Sequence, residues 1–330
     1  MSDALIRAAL FIGCSGVALA LQRFHRSVLL STSTGNFDKD EEPELSQEQL
    51  NFYSKWTGQP ADVEFIVANW RALKKRFHTY RCVQTMSYLV PRTKRLKAYN
   101  QILIKFEESK EVKIADFGCC FGQDARQLIM EGIPPSQITV VDIHDGYWKA
   151  GLQLFRDDNI SNSRLQGIRE CWFDISLPFG HPLSIESRFP SDVGMYDFII
   201  LQAVLHTMSL EQHKIALMRI LRLLKKGSGV LMGAAAGADK AQQWVFTPDG
   251  KNHRYLHSPE TLRKLLNELG YSKVEVGEQQ RERVAEPGVG VGGGGEGGGE
   301  GGWGKKGQAN EVDQALASVN RALIEFTACA

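Results

Sequence analysis

The segment ADFGCCFGQDARQL combines residue types that could hold a nucleotide-like ligand. An apolar run ends in Asp116, two glycines follow within six residues, and a helix-like pattern begins directly afterwards. A dinucleotide-binding turn needs small residues where this segment has Cys120 and Gln123, because the backbone must approach a pyrophosphate there and the helix must pack closely. The turn therefore favours a ligand without phosphate, whose amino-acid end meets the turn and the positive end of the helix.

Three later apolar runs also end in polar residues. VVDIHD places Asp142 where a carboxylate can accept hydrogen bonds from two ribose hydroxyls, and CWFDIS places Asp174 where one can accept from an adenine amino group. YDFIILQAVLH ends at Gln202 to His206, where a transferable methyl group would lie. A ligand with an amino-acid end, a ribose and an adenine but no phosphate is S-adenosylmethionine. Its predicted contacts are Asp116, Gly118, Cys119, Cys120, Gly122, Gln123, Asp142, Ile143, Asp174, Ile175 and Gln202.

Each of these residues also has a structural interpretation. An acidic residue after a strand is often a turn or cap residue, and this applies more to Asp174 than to Asp142. Cys119 and Cys120 could serve redox or nucleophilic chemistry only with a nearby base and exposure, so packing within the turn is the favoured interpretation. The six cysteines show no ligand spacing. This indicates neither a zinc site nor a disulfide framework, and it predicts no bound metal and a reducing compartment.

Between residues 111 and 287, short apolar runs alternate with amphipathic helical patterns. This alternation predicts a doubly wound, mostly parallel sheet with helices on both faces, in which ligands bind at the carboxyl ends of the strands. The glycine-rich residues 288–310 are predicted to be a flexible insertion within a terminal hairpin. Residues 311–330 end in RALIEFTACA, which predicts a last strand, with an amphipathic helix as the alternative.

Two segments precede this core. Residues 1–44 contain the apolar run ALFIGCSGVALAL, then basic residues and a Ser/Thr run, with no acid between Asp3 and Asp38. The run is shorter than the roughly twenty residues of a membrane span, so a targeting segment is the first interpretation and a membrane anchor the second. Either would place the protein in an organelle or at a membrane; otherwise it would be cytoplasmic. Residues 45–110 predict helices broken by two prolines.

Charge excludes one broad class of function. The chain has 39 basic and 38 acidic residues, so it is not a bulk nucleic-acid binder and no DNA partner is predicted. Ten Lys or Arg and no acid lie between Arg71 and Lys105, however. This local excess favours an anionic partner such as a carboxylate, a phosphate, RNA or a lipid surface, while a solvated helix face explains it equally well.

With these residues placed, the chain resembles class I S-adenosylmethionine-dependent methyltransferases, and more narrowly the fungal meroterpenoid and polyketide methyltransferases. The resemblance rests on DFGCCFGQDARQLIMEGIPPSQITVVDI, LFRDD, YDFIILQAVLH and SPETLRKLLNELG. It covers roughly residues 45–275 and implies a Rossmann-like sheet of seven strands, the last antiparallel, with a helical lead-in that covers an acceptor pocket. A weaker resemblance to messenger-RNA cap guanine methyltransferases leaves an RNA acceptor as an alternative. A methyltransferase-like binding module without catalysis is another.

The resemblance also implies a reaction. The sulfonium carries an activated methyl group, so the protein would mainly position a small, lipophilic acceptor and exclude water. A carboxylate acceptor needs no base, and basic lead-in residues such as Arg71 could hold it. A hydroxyl acceptor would need a base, for which His206 is the candidate and a pocket-wall histidine the alternative. The predicted acceptor-facing residues are Arg71, Tyr80 and Tyr88, although aromatic residues at such spacing are commonly core residues.

Overall fold

The computed structural model describes residues 44–76, 81–157, 163–184, 190–245, 253–278 and 321–330, and these form an α/β structure around a central sheet. The strands, numbered along the chain, are β1 Ile114–Phe117, β2 Ile138–Asp142, β3 Arg169–Trp172, β4 Phe198–Leu201, β5 Val230–Ala238, β6 Gln242–Val245, β7 His253–Leu256, β8 Ser272–Glu278 and β9 Arg321–Cys329. Seven of them form one sheet, while β6 and β7 pair separately as an antiparallel hairpin.

The order of the seven strands is β3–β2–β1–β4–β5–β9–β8. β1 pairs in parallel with β2 and β4, β2 with β3, and β4 with β5. The last strand, β9, lies between β5 and β8 and is antiparallel to both. The predicted fold class, a doubly wound sheet with an antiparallel last strand, is confirmed. Strand order reverses between β1 and β4, so the ends of these two strands border the crevice in which such sheets bind ligands.

The helices are α1 Gln47–Thr57, α2 Val63–Arg76, α3 Arg81–Gln84, α4 Tyr99–Ser109, α5 Gln123–Met130, α6 Gly146–Leu154, α7 Leu210–Leu223 and α8 Pro259–Glu268. The first four form the lead-in, residues 44–109. Ser46, Ser209 and Ser258 open α1, α7 and α8 with capping boxes, in which side chains satisfy amides that have no partner within the helix. These helices therefore begin where the Ser-x-x-Gln or Ser-x-x-Thr spacing puts them.

Alternate residues of the central strands pack into two separate cores. Ile114 of β1 and Ile200 of β4 lie in a core with the lead-in, α5 and α6. Ala115 and Ile199, their neighbours in sequence, lie in the opposite core with α7 and α8. Because both faces are covered, β1 and β4 are buried along their whole length, as a parallel sheet requires.

A buried ion pair between α5 and the segment after α6 provides the site at which the lead-in docks. Arg126 of α5 is fully buried and its Nη2 lies 2.8 Å from Asp157 Oδ2. Trp56 Nε1 of α1 donates to both carboxylate oxygens of Asp157 at 3.1 Å, and the guanidinium lies over the rings of Trp56, Trp148 and Phe155. The charges are thus compensated, and α1 docks at a defined position on α5.

Some predictions concern residues outside the described ranges. These are the targeting segment over residues 1–43, the glycine-rich insertion and Tyr80. Within the described ranges, no helix is both long and apolar enough to cross a membrane. The hairpin β6–β7 was not predicted, although the sequence TPDG between its strands is a pattern typical of turns and could have revealed it.

Candidate active site

The turn between β1 and α5 contains three residues with left-handed backbone angles. Gly118, Cys120 and Gly122 have φ values of 76°, 51° and 76°, a region that glycine enters without steric cost. A Cβ on Gly118 would overlap Val204 Cγ2, and a Cβ on Gly122 would overlap the ring of Trp148. The turn therefore requires glycine at both positions, and Gly118 lies directly against the segment that follows β4.

Asp142, at the end of β2, holds this turn in place. Its Oδ2 accepts from the backbone N of Cys120 at 3.0 Å, and its Oδ1 accepts from that of Ile143 at 2.7 Å. The carbonyl of Val141 accepts from the backbone N of Gly118 at 2.8 Å. Burial raises the pKa of the Asp142 carboxyl, and the two amide hydrogen bonds oppose that rise. Since a carboxylate offers about four acceptor positions, Asp142 can fix the turn and still accept from ligand hydroxyls.

Seven buried side-chain atoms have no hydrogen-bond partner within the described part of the chain, and three of them lie at this turn: Asp116 Oδ2, Gln123 Oε1 and Tyr88 Oη. Arg126 Nη2, another of the seven, is ion-paired with Asp157 at 2.8 Å. The Tyr88 ring packs on Phe121 with 4.3 Å between centroids, which brings this lead-in residue to the turn. Buried polar atoms in proteins are nearly always paired. Two acceptors and one hydroxyl donor left unpaired together therefore indicate the position of a polar ligand.

The carboxyl of Asp116 is strongly perturbed by its surroundings. Its pKa is raised well above the usual value, first by burial and then by the neighbouring carboxylates of Asp124 and Asp142. Asp124 itself is engaged, because its Oδ1 accepts from the backbone N of Arg92 and of Thr93 at 2.8 Å. A cation beside Asp116 would offset the burial and stabilise the carboxylate.

The paired cysteines are packing residues in this structure. Burial raises the pKa of the Cys119 thiol well above its usual range. The pKa of Cys120 is also raised well above its usual range, first by a hydrogen bond to Cys82 of α3, and the same contact lowers the pKa of Cys82. Both cysteines of the turn therefore stay protonated at neutral pH, which supports the packing interpretation. Sequence analysis did not place Cys82 at the turn, since no local pattern links the two.

The remaining predicted cofactor contacts, which follow the ends of β2, β3 and β4, are placed differently from one another. Ile143 is 46% exposed directly after Asp142, an open apolar surface at a strand end. Asp174 Oδ1 accepts from Ser176 N at 2.8 Å and from Ser176 Oγ at 2.6 Å, and Ile175 is buried. Gln202 was expected to face the methyl group, but its Oε1 accepts from Ala234 N of β5 at 2.8 Å. The carbonyl end of this side chain is thus used between β4 and β5.

His206 lies in the short 3₁₀ turn Leu205–Thr207 after β4. Its Nδ1 accepts from Ala236 N at 3.4 Å, so the neutral ring carries its proton on Nε2. In that tautomer Nε2 is a hydrogen-bond donor. The base role considered from the sequence would require His206 to give up the bond from Ala236, whereas a wall or acceptor-holding role would not.

The lead-in residues predicted to face the acceptor separate into two groups. Tyr88 is 1% exposed and packs on the turn, so it lies on the cofactor side of the crevice. Arg71 has an exposed side chain on α2. The backbone of Arg92 and Thr93, bonded to Asp124, fixes the end of the lead-in beside α5.

Two further histidines, missed by sequence analysis, lie beneath the His206 turn. His213 of α7 and His257 after β7 are both buried, and their rings are joined by a 3.1 Å contact between His213 Nδ1 and His257 Nε2. His213 falls on the apolar face of its helix, three and four residues before Ala216 and Leu217. A histidine on the apolar face of a helix was the signal that could have revealed this pair, but its partner His257 lies 44 residues away in the sequence.

Comparisons with known proteins agree with the predicted resemblance. The chain is 30% identical over 191 residues to the O-methyltransferase phiE of a fungal species, covering 57% of this chain and 58% of phiE. It is 25% identical over 219 residues to the methyltransferase ausD of Penicillium brasilianum, covering 64% of this chain and 74% of ausD. The match thus spans less than two thirds of the length of phiE. The resemblance to fungal methyltransferases is confirmed.

Solved structures are more distant. A 1,6-didemethyltoxoflavin-N1-methyltransferase of Burkholderia thailandensis has a TM-score of 0.43 and 14% identity, covering 81% of this chain and 89% of its own. A SAM-dependent methyltransferase of Archaeoglobus fulgidus has a TM-score of 0.42 and 13% identity, covering 76% and 99%. No protein-family model matches the chain.

Proposed function

We propose that this chain, which resembles the fungal methyltransferases, is an S-adenosylmethionine-dependent O-methyltransferase acting on a small, lipophilic acid. The observation that carries the proposal is the set of unpaired buried atoms at the glycine turn: Asp116 Oδ2, Gln123 Oε1 and Tyr88 Oη. An α-amino-acid end brings an ammonium, which can donate to the first two, and a carboxylate, which can accept from the third. The residues present therefore fit the charged end of the cofactor. Tyr88, which the sequence analysis assigned to the acceptor site, is here assigned to the cofactor site.

The remaining cofactor contacts follow the ends of β2 and β3. Asp142 would accept from ribose hydroxyls with the lone pairs that the turn leaves over. Ile143, exposed beside it, would cover one face of the adenine. Asp174, which already accepts from Ser176, would take the adenine amino group with its second oxygen. The roles of Asp142 and Asp174 are the ones that the sequence analysis predicted, whereas Ile143 was predicted only as a cofactor contact.

The reaction is a balanced transfer. When bound, S-adenosylmethionine would supply a methyl group on a positively charged sulfur, and the electron pair of the C–S bond would stay on sulfur as the acceptor oxygen forms its bond to carbon. A carboxylate acceptor is already ionised at neutral pH, so no proton has to be removed. His206 in its Nε2–H tautomer suits such an anion, because Nε2 can donate to it, whereas action as a base would first require the ring to give up the 3.4 Å bond from Ala236 N. A hydroxyl acceptor is the second possibility and would need such a base.

Calorimetry with S-adenosylhomocysteine tests the cofactor site. Binding places an ammonium beside Asp116, whose pKa is raised in the free chain. The ammonium lowers that pKa, so binding should release protons at pH values between the two pKa values, which titrations over a series of pH values in buffers of different ionisation enthalpy detect. Asp116→Asn should weaken binding about ten-fold, in the range for a lost charged hydrogen bond, and abolish the proton release. Absence of binding at millimolar ligand would refute the proposal.

A buried acid far from the turn provides the control. Asp197 lies before β4, at the opposite end of the sheet from the glycine turn, and its carboxylate accepts from Lys225 Nζ at 2.8 Å. Asp197→Asn should lower stability but leave both the affinity for S-adenosylhomocysteine and the proton release unchanged. Equal effects of the two substitutions would show that the loss of affinity reflects general destabilisation.

The acceptor class can be tested with a compound that offers both groups. 2,4-Dihydroxybenzoic acid and a lipophilic metabolite extract would be incubated with methyl-labelled S-adenosylmethionine, and products detected by mass. A methyl ester is cleaved by hydroxide, whereas an aryl methyl ether is not, so the same sample separates the two outcomes. Label in the ester supports the proposal, while label only in the ether would assign the hydroxyl instead.

The exposed basic residues of the lead-in are compatible with an alternative methyl acceptor, which is capped RNA. Lys94, Arg95 and Lys97 are exposed, which suits RNA, although Arg95 is already paired with Glu48 at 2.6 Å. An RNA acceptor predicts binding of capped RNA that weakens steeply with salt. The proposed small-acid acceptor predicts no such binding.

A further inference from the structure

A chain of three hydrogen bonds runs beneath the turn that carries His206. His213 Nε2 donates to the carbonyl of Leu205, the residue before His206. His213 Nδ1 lies 3.1 Å from His257 Nε2, and His257 Nδ1 lies 3.2 Å from the hydroxyl of Thr261 in α8. The chain thus connects α8 and α7 to one backbone carbonyl at the end of β4.

The direction of every bond in this chain is determined by its first member. A carbonyl can only accept, so the proton of neutral His213 is on Nε2 and its Nδ1 must accept. His257 must then donate from Nε2, and its Nδ1 can only accept, sharing the single proton of the Thr261 hydroxyl with the Ser258 carbonyl at 3.1 Å. The Leu205 carbonyl therefore holds His213 in one tautomer, and His213 in turn holds His257 in one tautomer, as in other sites where a second group fixes a histidine.

Both rings are shielded from water. His213 is 0% exposed and His257 is 5% exposed. Tyr255 of β7 packs edge-on against both, with ring centroids 6.1 Å and 4.8 Å away. Burial lowers the pKa of His213 to about 4 and, together with His213, that of His257 to about 3. Both rings stay neutral at physiological pH, which the directions of their hydrogen bonds also require.

The turn held by this chain contacts both halves of the candidate active site. Val204, one residue before Leu205, packs on Gly118 of the cofactor turn. His206, one residue after it, accepts from Ala236 N of β5. Ala203 has a left-handed φ of 57°, so the chain enters the turn through a strained residue that needs external support. The hydrogen bond from His213 Nε2 to the carbonyl of Leu205 provides that support.

We propose that His213 and His257 are positioning residues for methyl transfer, which fix the Leu205–Thr207 turn and thereby the place and tautomer of His206. This inference rests on the proposed function for its effect on catalysis, but not for its effect on His206. Neither histidine contacts the reacting atoms, so each acts through the backbone of Leu205.

Two substitutions at each histidine separate the hydrogen bond from the ring volume. The amide Nε2 of glutamine lies about where the imidazole Nε2 lies, so His213→Gln keeps the donor to Leu205 and His213→Phe removes it. His257→Gln and His257→Phe do the same for the donor to His213. Tyr271→Phe is the matched control, because it also removes a buried side-chain hydrogen bond to a carbonyl of α7 (Leu217, 2.8 Å) but lies away from the turn.

The direct readout is the imidazole ¹⁵N spectrum of His206, assigned with a His206→Gln variant. In the unaltered protein, the ring should show one tautomer protonated on Nε2. In His213→Phe the spectrum should change to mixed or exchange-broadened tautomers, and His213→Gln should restore the original pattern. If His213→Phe does not fold, His257→Phe serves instead, since it removes the donor to His213 Nδ1 and so loosens the ring that holds the Leu205 carbonyl.

Methyl transfer provides the second readout. Turnover of the labelled acceptor pool should fall about ten- to a hundred-fold in His213→Phe, as for other small misplacements at active sites. The affinity for S-adenosylhomocysteine should stay within about three-fold, because Asp142 and Val141 still hold the cofactor turn. His213→Gln should recover most of the turnover, and Tyr271→Phe should change neither measurement.

Two results would overturn the inference. One is an unchanged His206 spectrum in a folded His213→Phe or His257→Phe protein, and the other is a glutamine variant no better than its phenylalanine counterpart. If the unaltered protein does not bind S-adenosylhomocysteine, the proposed function fails. The spectrum of His206 in the ligand-free protein still tests the positioning role in that case.

Discussion

Gly118→Ala should disrupt the cofactor turn for two separable reasons. Gly118 has a φ of 76°, and placing an alanine in this region costs about 1–2 kcal/mol. The new Cβ would also overlap Val204 Cγ2, and overpacking of this kind costs about 1–3 kcal/mol. The free energy of unfolding should therefore fall by about 2–5 kcal/mol, the combination of the two effects.

Two further variants isolate these contributions. Gly58 has a φ of 70° and nothing within 4 Å of an added Cβ, so Gly58→Ala should show only the backbone cost of about 1–2 kcal/mol. Val204→Ala removes the methyl group that Gly118→Ala would overlap. The double variant should therefore be more stable than the sum of the single effects predicts, with a coupling of about 1–3 kcal/mol.

Urea unfolding followed by tryptophan fluorescence measures the stabilities, and calorimetry measures the affinity for S-adenosylhomocysteine. Gly118→Ala should weaken binding at least about ten-fold, since a shift of the turn moves several ligand contacts together. Gly58→Ala should not affect binding. The reasoning is refuted if Gly118→Ala costs no more than Gly58→Ala, or if Val204→Ala gives no recovery.

Three other predictions follow from the buried groups. Because the pKa of His213 is about 4 in the folded chain and about 6.5 when unfolded, its contribution to stability is complete above pH 6.5 and is lost as the pH falls towards 4. The loss is about 3 kcal/mol, and His213→Gln should reduce the pH dependence measured by urea unfolding, while His257, with a pKa of about 3, supplies the rest over the same range. Arg126→Met leaves Asp157 buried without its cation and should cost about 3–5 kcal/mol, part of which Asp157→Asn in the same chain should restore. Tyr88→Phe should weaken S-adenosylhomocysteine about ten-fold, the loss of one charged hydrogen bond, but leave 5′-methylthioadenosine, which lacks the amino-acid end, unaffected. Equal losses for the two ligands would return Tyr88 to a packing role.

Features set by neighbouring residues were the ones that sequence could predict. β1 and β4 read as apolar runs because both faces of the sheet are covered, and their order along the chain leads to a doubly wound sheet. Asp142 stands directly after a strand, so its position at the ligand edge followed from topology. The C-terminal strand was predicted from a single apolar run, and it pairs along nine positions with β5.

Features set by distant contacts could not be predicted in the same way. Gln202 was expected at the reacting group, but Ala234, 32 residues later, engages its carbonyl. The hairpin β6–β7 consists of two four-residue strands, too short for a periodic pattern to stand out. Its last residues bring Tyr255 and His257 to His213, a contact that neither segment indicates alone.

The chemistry of His206 depends on one of these distant contacts. From the sequence, a histidine after the fourth strand is equally compatible with a base or a donor, because the ring alone does not specify its tautomer. Ala236, thirty residues away on β5, donates to Nδ1 and leaves the proton on Nε2. A hydrogen-bond donor at His206 Nε2 favours a methyl acceptor that is already an anion. The backbone amide of Ala236, which lies outside the segment that carries His206, therefore favours a carboxylate over a hydroxyl as the methyl acceptor. Ala236→Pro would remove that amide but would also disrupt β5. The role of His206 as a hydrogen-bond donor is therefore tested with His206→Asn and His206→Gln, whose side-chain amides can donate but cannot act as a base. If donation is what matters, one of these amides should keep substantial transfer to the carboxylate, whereas His206→Phe should not.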